Sequence, residues 1–564
     1  MRKTKVVLAK VLTAAMVISS FAGVQGITSE AAAKPKLSKK SVSITVGKTK
    51  KITVKNAKKY KVSWKMKSKK IASFKKSGKY AVKVTAKKAG KTTLTATIKK
   101  GKKTKKLVCK ITVKKNSPKV TKTPVNTPTT SPSNVPKTTE VPTATATAEP
   151  QDTTPAMKEI FKGVIDNVGT CLTYNQTWGN HPREMQDAST MEFVDKHFNS
   201  FTLENEMKPD NMLNKKTTIS VADAKAKGYV ISDDYKESEV PELTLETIDG
   251  VLAIAKQHNI RMRAHTLMWH QQTPTWFFKK NYDDNEAVVD EATMNARLEF
   301  FVRTIMRHTM QKEKELTGEV GSIVYAWDVL NEYIHRSNAA AATTWVSVYG
   351  DMGLKPTYVK AAFEYAYDEL KKENVQDKVT LFYNDYDTYF SVDDELALIS
   401  YINEGEDAKI CGGIGMQSHV DIKRPTLEEY GNALKAFINA GLEVQITELD
   451  ITINFDTDDT DGRTPTYAYK NEKETDVDQA AFTKDFIKQI VDIQKNRNKI
   501  ISPKGITGIT VWGISDQTSW RGSCKPLFFT RKNVRVKDET TGKYKTVYTY
   551  VPKKSYEAMI EALK

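Results

Sequence analysis

Eight times in the larger, C-terminal part of the chain an apolar, β-prone run ends on polar or aromatic groups. The runs close at "TCLTYN" (170–175), "FTLENEMK" (201–208), "RMRAHTLMWHQQ" (261–272), "VYAWDVLNE" (324–332), "TLFYNDYD" (380–387), "GIGMQSH" (413–419), "VQITELD" (444–450) and "ITVWGISD" (509–516). Between them lie stretches such as "TLETIDGVLAIAKQHN" (244–259) and "YVKAAFEYAYDELKKEN" (358–374), whose apolar residues return at helical spacing. Strand and helix alternating eight times predicts an α/β fold of (β/α)8 barrel type, with a packed interior and with all strand ends gathered at one open mouth. The polar termini of the runs, Asn331 and Glu332 among them, are therefore expected to rim a single cleft.

Two of those termini carry glutamates of the same form, Glu332 after "WDVLN" and Glu448 inside "ITELD". Ending the fourth and seventh runs, they are expected on opposite sides of the mouth. Facing carboxyl groups suit glycoside hydrolysis, where one protonates the leaving oxygen and the other attacks the anomeric carbon. A single glutamate at a strand end would more often be a salt-bridged rim residue; the weight lies in the pair and its company. Trp269, Trp512 and Trp520, with Asn205, Asn331, Gln417, His265 and His419, converge on the same ends. Sugars offer apolar C–H faces and hydroxyls, which aromatic platforms and amide or imidazole groups complement. His265 and His270 do not form an HExxH pair and no cysteine joins them, so no metal is expected.

The segments "LENEMKPD", "HTLMWHQQTPTW", "WDVLNE", "MQSH", "ITELDI" and "TVWGISDQTSWR" together resemble the family 10 glycoside hydrolases, chiefly endo-β-1,4-xylanases, in order and across nearly all of residues 155–564. The resemblance implies a TIM-barrel enzyme that hydrolyses internal xylosidic bonds of xylan by retaining double displacement, without a cofactor. It implies Glu332 as acid/base and Glu448 as nucleophile, with Asp450 orienting His419 and Glu448. Glu204, Asn205 and Lys208 would bind the glycone sugar next but one to the cut. His265, Trp269, Gln272, Asn331, Gln417, His419, Trp512 and Trp520 would surround the cleaved sugar. Ala264, Leu203 and Tyr333 are larger than the residues usual at those places, and near the mouth they are expected to narrow subsites. Segments near 212–245, 452–478 and 529–550 are longer than a compact barrel needs and are expected to build cleft walls. Two other readings stay open: a hydrolase of another β-1,4- or mixed-linkage glucan, and a polysaccharide-binding protein on an enzyme-derived scaffold.

The remainder of the 564-residue chain is organised differently. Residues 1–33 join a basic start to a short apolar run and small residues, the pattern of a secretory signal peptide; the run is too short to span a bilayer. Residues 34–115 hold about thirty lysines with no Arg, Asp or Glu, so the net charge of +21 belongs to this segment and the rest is net acidic. Its runs "SVSITVG", "KKITVK", "KVSWKM", "AVKVTAK" and "TTLTATIK" predict a small antiparallel sandwich, and "VTAKKAGKTTLTATIK" resembles a bacterial immunoglobulin-like repeat. So concentrated a charge suits either a soluble spacer or a contact with anionic cell-wall polymer. Nucleic acid is disfavoured, because secretion and the lack of arginine both argue against it. Residues 116–153, rich in Thr, Pro and Ser, read as an extended linker, and the barrel is expected over 154–564. Cys109, Cys171, Cys411 and Cys524 form no CxxC pair and leave at most one bridge between barrel ends.

Overall fold

The computed structural model describes residues 35–39, 41–57, 60–100, 103–114, 154–175, 183–336, 341–453, 472–537 and 542–564. The predicted signal region and linker lie outside these, as does most of the 452–478 segment. Contacts divide the chain into two units, within Met1–Thr145 and within Ala146–Lys564.

The first unit is a pair of four-stranded sheets. One is ordered Lys36–Leu37, Thr49–Lys55, Ala81–Ala86, Ala72–Gly78; the other Ser41–Thr45, Lys103–Lys114, Gly90–Lys100, Lys61–Met66. Alternation explains the core: Ile52, Val82, Val84, Leu94, Cys109 and Ile111 are buried together while intervening lysines remain outside. The sandwich is not wholly antiparallel, since Ser41–Thr45 pairs in parallel with Lys103–Lys114. Lys51, Lys83 and Lys75 stand directly opposite one another across three strands, and all three are exposed. Like charges so placed disfavour the sheet.

In the second unit eight parallel strands close on themselves. They are β1 (Asn167–Leu172), β2 (Ser200–Leu203), β3 (Arg261–Trp269), β4 (Val324–Asn331), β5 (Thr380–Asp385), β6 (Gly413–Met416), β7 (Glu443–Thr452) and β8 (Ile506–Val511). β6 pairs with β7, and β8 returns to β1. Their burial on both faces accounts for the continuous apolar runs. Each strand is followed by a helix: 188–197, 246–258, 291–317, 357–372, 392–402, 427–439, 472–496 and 554–562. The (β/α)8 expectation is met, and Glu332 and Glu448 do lie at the ends of the fourth strand and within the seventh.

The barrel interior is not purely apolar. Arg263 of β3 forms a bidentate pair with Asp328 of β4 and donates from Nε to Gln445 of β7 at 3.0 Å, all within the core. Gly415 of β6 makes room for this layer. A Cβ there would lie 2.3 Å from Asn384 Oδ1 and 2.8 Å from Arg263 Nη2.

After β8 the chain forms a two-stranded antiparallel ribbon, Phe529–Lys537 with Tyr544–Pro552. All four cysteines are buried and free, so the bridge between barrel ends does not form; each thiol packs as a small apolar group. Among the described residues no helix is long and apolar enough to cross a membrane.

Candidate active site

Glu332 follows the last residue of β4 in a left-handed backbone conformation, φ 58°, uncommon for a residue with a side chain. Its amide donates to the Asn384 carbonyl of β5 at 2.9 Å. One carboxyl oxygen accepts from Trp269 Nε1 at 2.8 Å, the other from Gln417 Nε2 at 3.1 Å. Burial, then the charge of Asp385, pushes the carboxyl up to about 7, against the pull of Gln417; the Glu448 charge adds a smaller push.

Glu448 lies across the mouth on β7. Burial alone would raise its pKa as well. His419 reverses that by donating from Nε2 to Oε2 at 3.2 Å, and the nearby charges of His265, His419 and Lys208 act in the same sense, taking the carboxyl down to about 2. Asn384 Nδ2 donates to the other oxygen, Oε1, at 2.9 Å. His419 is held in turn by Asp450, whose Oδ2 lies 2.9 Å from Nδ1. Burial disfavours a charged imidazole here, but Asp450 and Glu448 outweigh it and lift His419 to about 9. At neutral pH an imidazolium thus sits beside a carboxylate, with a protonatable carboxyl facing them.

Most of the predicted set meets around this pair. Asn331 Oδ1 accepts from Gln417 Nε2 at 3.2 Å and from Asn384 Nδ2 at 2.8 Å. Trp520 Nε1 donates to Asp450 at 3.1 Å with its ring centroid 5.1 Å from that of His419. Trp512 stands edge-on to His265 at 5.9 Å and to His419 at 6.3 Å. His265 is fixed by Asp328 at 2.8 Å. Lys208 covers the Trp269 ring at 4.9 Å and donates to Asn205 Oδ1 at 3.3 Å. Glu204, just past β2, is tied to β1 through its amide and the Leu172 carbonyl at 3.0 Å. Gln272 lies in the turn after β3 with φ 45°. Among the described residues its side chain shows no hydrogen bond to the others.

Three expectations change. Leu203 and Ala264 are fully buried in the core and do not narrow the cleft, and Tyr333 turns away from it, donating to the Gly353 carbonyl at 2.7 Å. Residues that sequence reasoning passed over complete the site. Asn384 links both sides of the mouth, with Thr447 Oγ1 fixing its carbonyl at 2.6 Å. Asp385 accepts from the amides of Ile334 and Tyr386, from His335 and from Tyr383. Glu184, bonded to Thr173 at the end of β1, is raised to about 8 by burial and then by Glu204. Asn384 and Asp385 stood at the end of a recognised strand, which was the available signal.

A buried proton-holding carboxyl and a buried carboxylate, joined by amide donors and walled by tryptophan, equip a cleft for acid-assisted displacement at an acetal carbon. Residues 156–548 match the family described as glycosyl hydrolase family 10. The chain belongs to this family. Over 356 residues it is 40% identical to endo-1,4-beta-xylanase A of Butyrivibrio fibrisolvens, spanning 63% of this chain and 77% of that protein. Over 340 residues it is 32% identical to endo-1,4-beta-xylanase B of the same organism, spanning 59% of this chain and 46% of the relative. The CBM22-1 and family 10 modules of a Clostridium thermocellum endo-1,4-beta-D-xylanase 10B, complexed with xylohexaose, superpose with a TM-score of 0.51 at 26% identity, covering 73% of this chain and 68% of that one. The family 10 barrel is accordingly a glycoside hydrolase domain.

Proposed function

We propose that this family 10 hydrolase is an endo-β-1,4-xylanase that cleaves internal xylosidic bonds with retention of anomeric configuration. The opposed protonation of the two carboxyls carries the reading: Glu448 lowered to about 2 and Glu332 raised to about 7. Glu448, anionic and held by His419 and Asn384, attacks the anomeric carbon; Glu332 gives its proton to the departing glycosidic oxygen. Once the glycosyl ester forms, the Glu448 charge is gone, the Glu332 proton is more easily lost, and Glu332 acts as base toward water. The names of the relatives support xylan as substrate. Glu448→Ala should abolish turnover and regain some with azide, giving an α-glycosyl azide. Glu332→Ala should spare the first step for substrates with good leaving groups and give the β-azide. NMR of fresh hydrolysate that shows the α-anomer first would overturn retention.

The proposal extends to the rest of the chain. Residues 1–33 serve export, 34–115 form an immunoglobulin-like unit, 116–153 a linker and 154–564 the catalytic domain, so the enzyme acts outside the cell. The exposed Lys51, Lys83 and Lys75 row supports an anionic cell-wall polymer as a partner, because such a ligand would relieve its repulsion. Retention on isolated cell wall that weakens steeply with salt tests this; retention insensitive to salt would reject it.

A further inference from the structure

The ribbon after β8 is not needed to close the barrel, yet it is built with a distinct surface. Directly opposed pairs put Arg531, Asn533, Arg535 and Lys537 on one face with Tyr550, Tyr548, Thr546 and Tyr544. The Arg531 guanidinium carbon lies 4.7 Å from the Tyr548 ring centroid, and that of Arg535 lies 4.9 Å from Tyr544. Neither strand holds an Asp or Glu, while Lys532 and Lys545 add to the positive charge. Tyr544 is 61% exposed, and Arg535 and Lys537 are exposed too.

The foot of the ribbon is fixed beside the cleft. Tyr550 OH lies 3.0 Å from Thr190 Oγ1 and its ring 4.3 Å from Phe193, and the Tyr548 amide donates to Ser189 Oγ at 3.0 Å. The Arg531 amide donates to Gln517 Oε1 at 2.6 Å, three residues before Trp520. The helix that anchors the foot, 188–197, is entered from the Glu184 turn, which is bonded to the end of β1. Glu204, Asn205 and Lys208 follow β2, and the Glu204 amide donates to the Leu172 carbonyl at the end of β1 at 3.0 Å. The ribbon is therefore anchored to the segments that follow β1 and β8, next to the β2 end that carries Glu204.

We infer that this ribbon face is a distal subsite for carboxylate-bearing branches of the polysaccharide, that is, for uronic acid substituents, with Arg535, Lys537 and Tyr544 as its determinants. The inference rests on the proposed xylan-cleaving role of the cleft. A guanidinium stacked on a tyrosine has one face covered and its motion restricted, while its N–H edge stays available for a bidentate carboxylate. The tyrosine ring supplies a surface for the sugar that bears the acid. A neutral xylose backbone offers nothing to this excess of cations; a uronate does.

The test uses the full chain and a variant carrying Arg535→Gln and Lys537→Gln, both exposed changes that leave the foot intact. The readout is kcat/KM on xylan bearing glucuronic acid divided by that on the same polymer after chemical reduction of its carboxyls. The unaltered enzyme should prefer the acidic polymer by roughly five- to tenfold at low ionic strength, with the preference shrinking as salt rises. In the variant the ratio should fall toward one. An unaltered enzyme with no preference, or a variant whose two values drop equally, overturns the subsite. Absence of turnover on both polymers by the unaltered enzyme is a different failure, overturning the reading of the cleft itself.

Discussion

Glu332→Gln removes a titration while keeping the shape of the side chain, and its effect on stability can be worked out in sign and size. The carboxyl is held at about 7 against an ordinary value of 4.5. Between those values the folded chain keeps a proton that the unfolded chain has released, so stability falls as pH rises. At about 1.4 kcal/mol per pH unit the interval corresponds to about 3 kcal/mol, fully present below pH 4.5 and lost by the time pH passes about 7. Glutamine has no such dependence. Its amide must turn its NH2 toward Trp269 or Gln417, both of which donate to Glu332, a mismatch costing about 1–3 kcal/mol at every pH. That constant cancels when two pH values are compared. Urea unfolding at pH 4 and pH 8, followed by fluorescence, suits the question because seven of the eight tryptophans belong to the barrel unit. The variant should gain about 3 kcal/mol relative to the unaltered chain on going from the lower to the higher pH. A variant-minus-parent difference that is the same at both pH values would refute the raised carboxyl.

Asp385→Asn should move the alkaline limb of kcat/KM to lower pH, since the Asp385 charge follows burial among the causes that keep Glu332 protonated; an unmoved limb would leave burial as the whole cause. Gly415→Ala should cost about 1–3 kcal/mol of stability and lower kcat by roughly 10- to 100-fold, because the new Cβ would push on Asn384 and Arg263; steady-state rates and thermal melts check both. Trp520→Phe, which keeps a ring and loses the donation to Asp450, should lower kcat/KM only a few-fold, whereas Trp520→Ala should lower it far more with little change in melting temperature.

How much of this was legible in the sequence follows from what each feature depends on. Strand ends depend on local pattern, so all eight runs and the placement of both glutamates could be read directly. Arg263 in the middle of β3 could not be recognised as an interior residue, because its partners Asp328 and Gln445 lie 65 and 182 residues away. For the same reason the part that Asp385 plays in raising Glu332, second only to burial, could not be read from the sequence. Leu203 and Ala264 were placed near the mouth by position along their strands, whereas burial set them in the core. In the first unit the strand Lys103–Lys114 escaped notice because its opening residues, "KTKK", carry no apolar alternation; its pairing with Gly90–Lys100 supplies what local pattern does not.

Asn384 has a consequence for motion. Its single NH2 group donates to Asn331, beside the acid, and to Glu448 itself. A displacement of β4 that stretches one bond pulls the amide, and through it the other carboxylate, in the same direction. The amide thus acts as a tie rod between opposite walls of the barrel, so that breathing of the mouth carries the two glutamates together. For a reaction in which proton donor and nucleophile must act on one glycosidic bond at once, the quantity to be conserved is their separation, and a shared hydrogen-bond donor conserves it even while each wall moves.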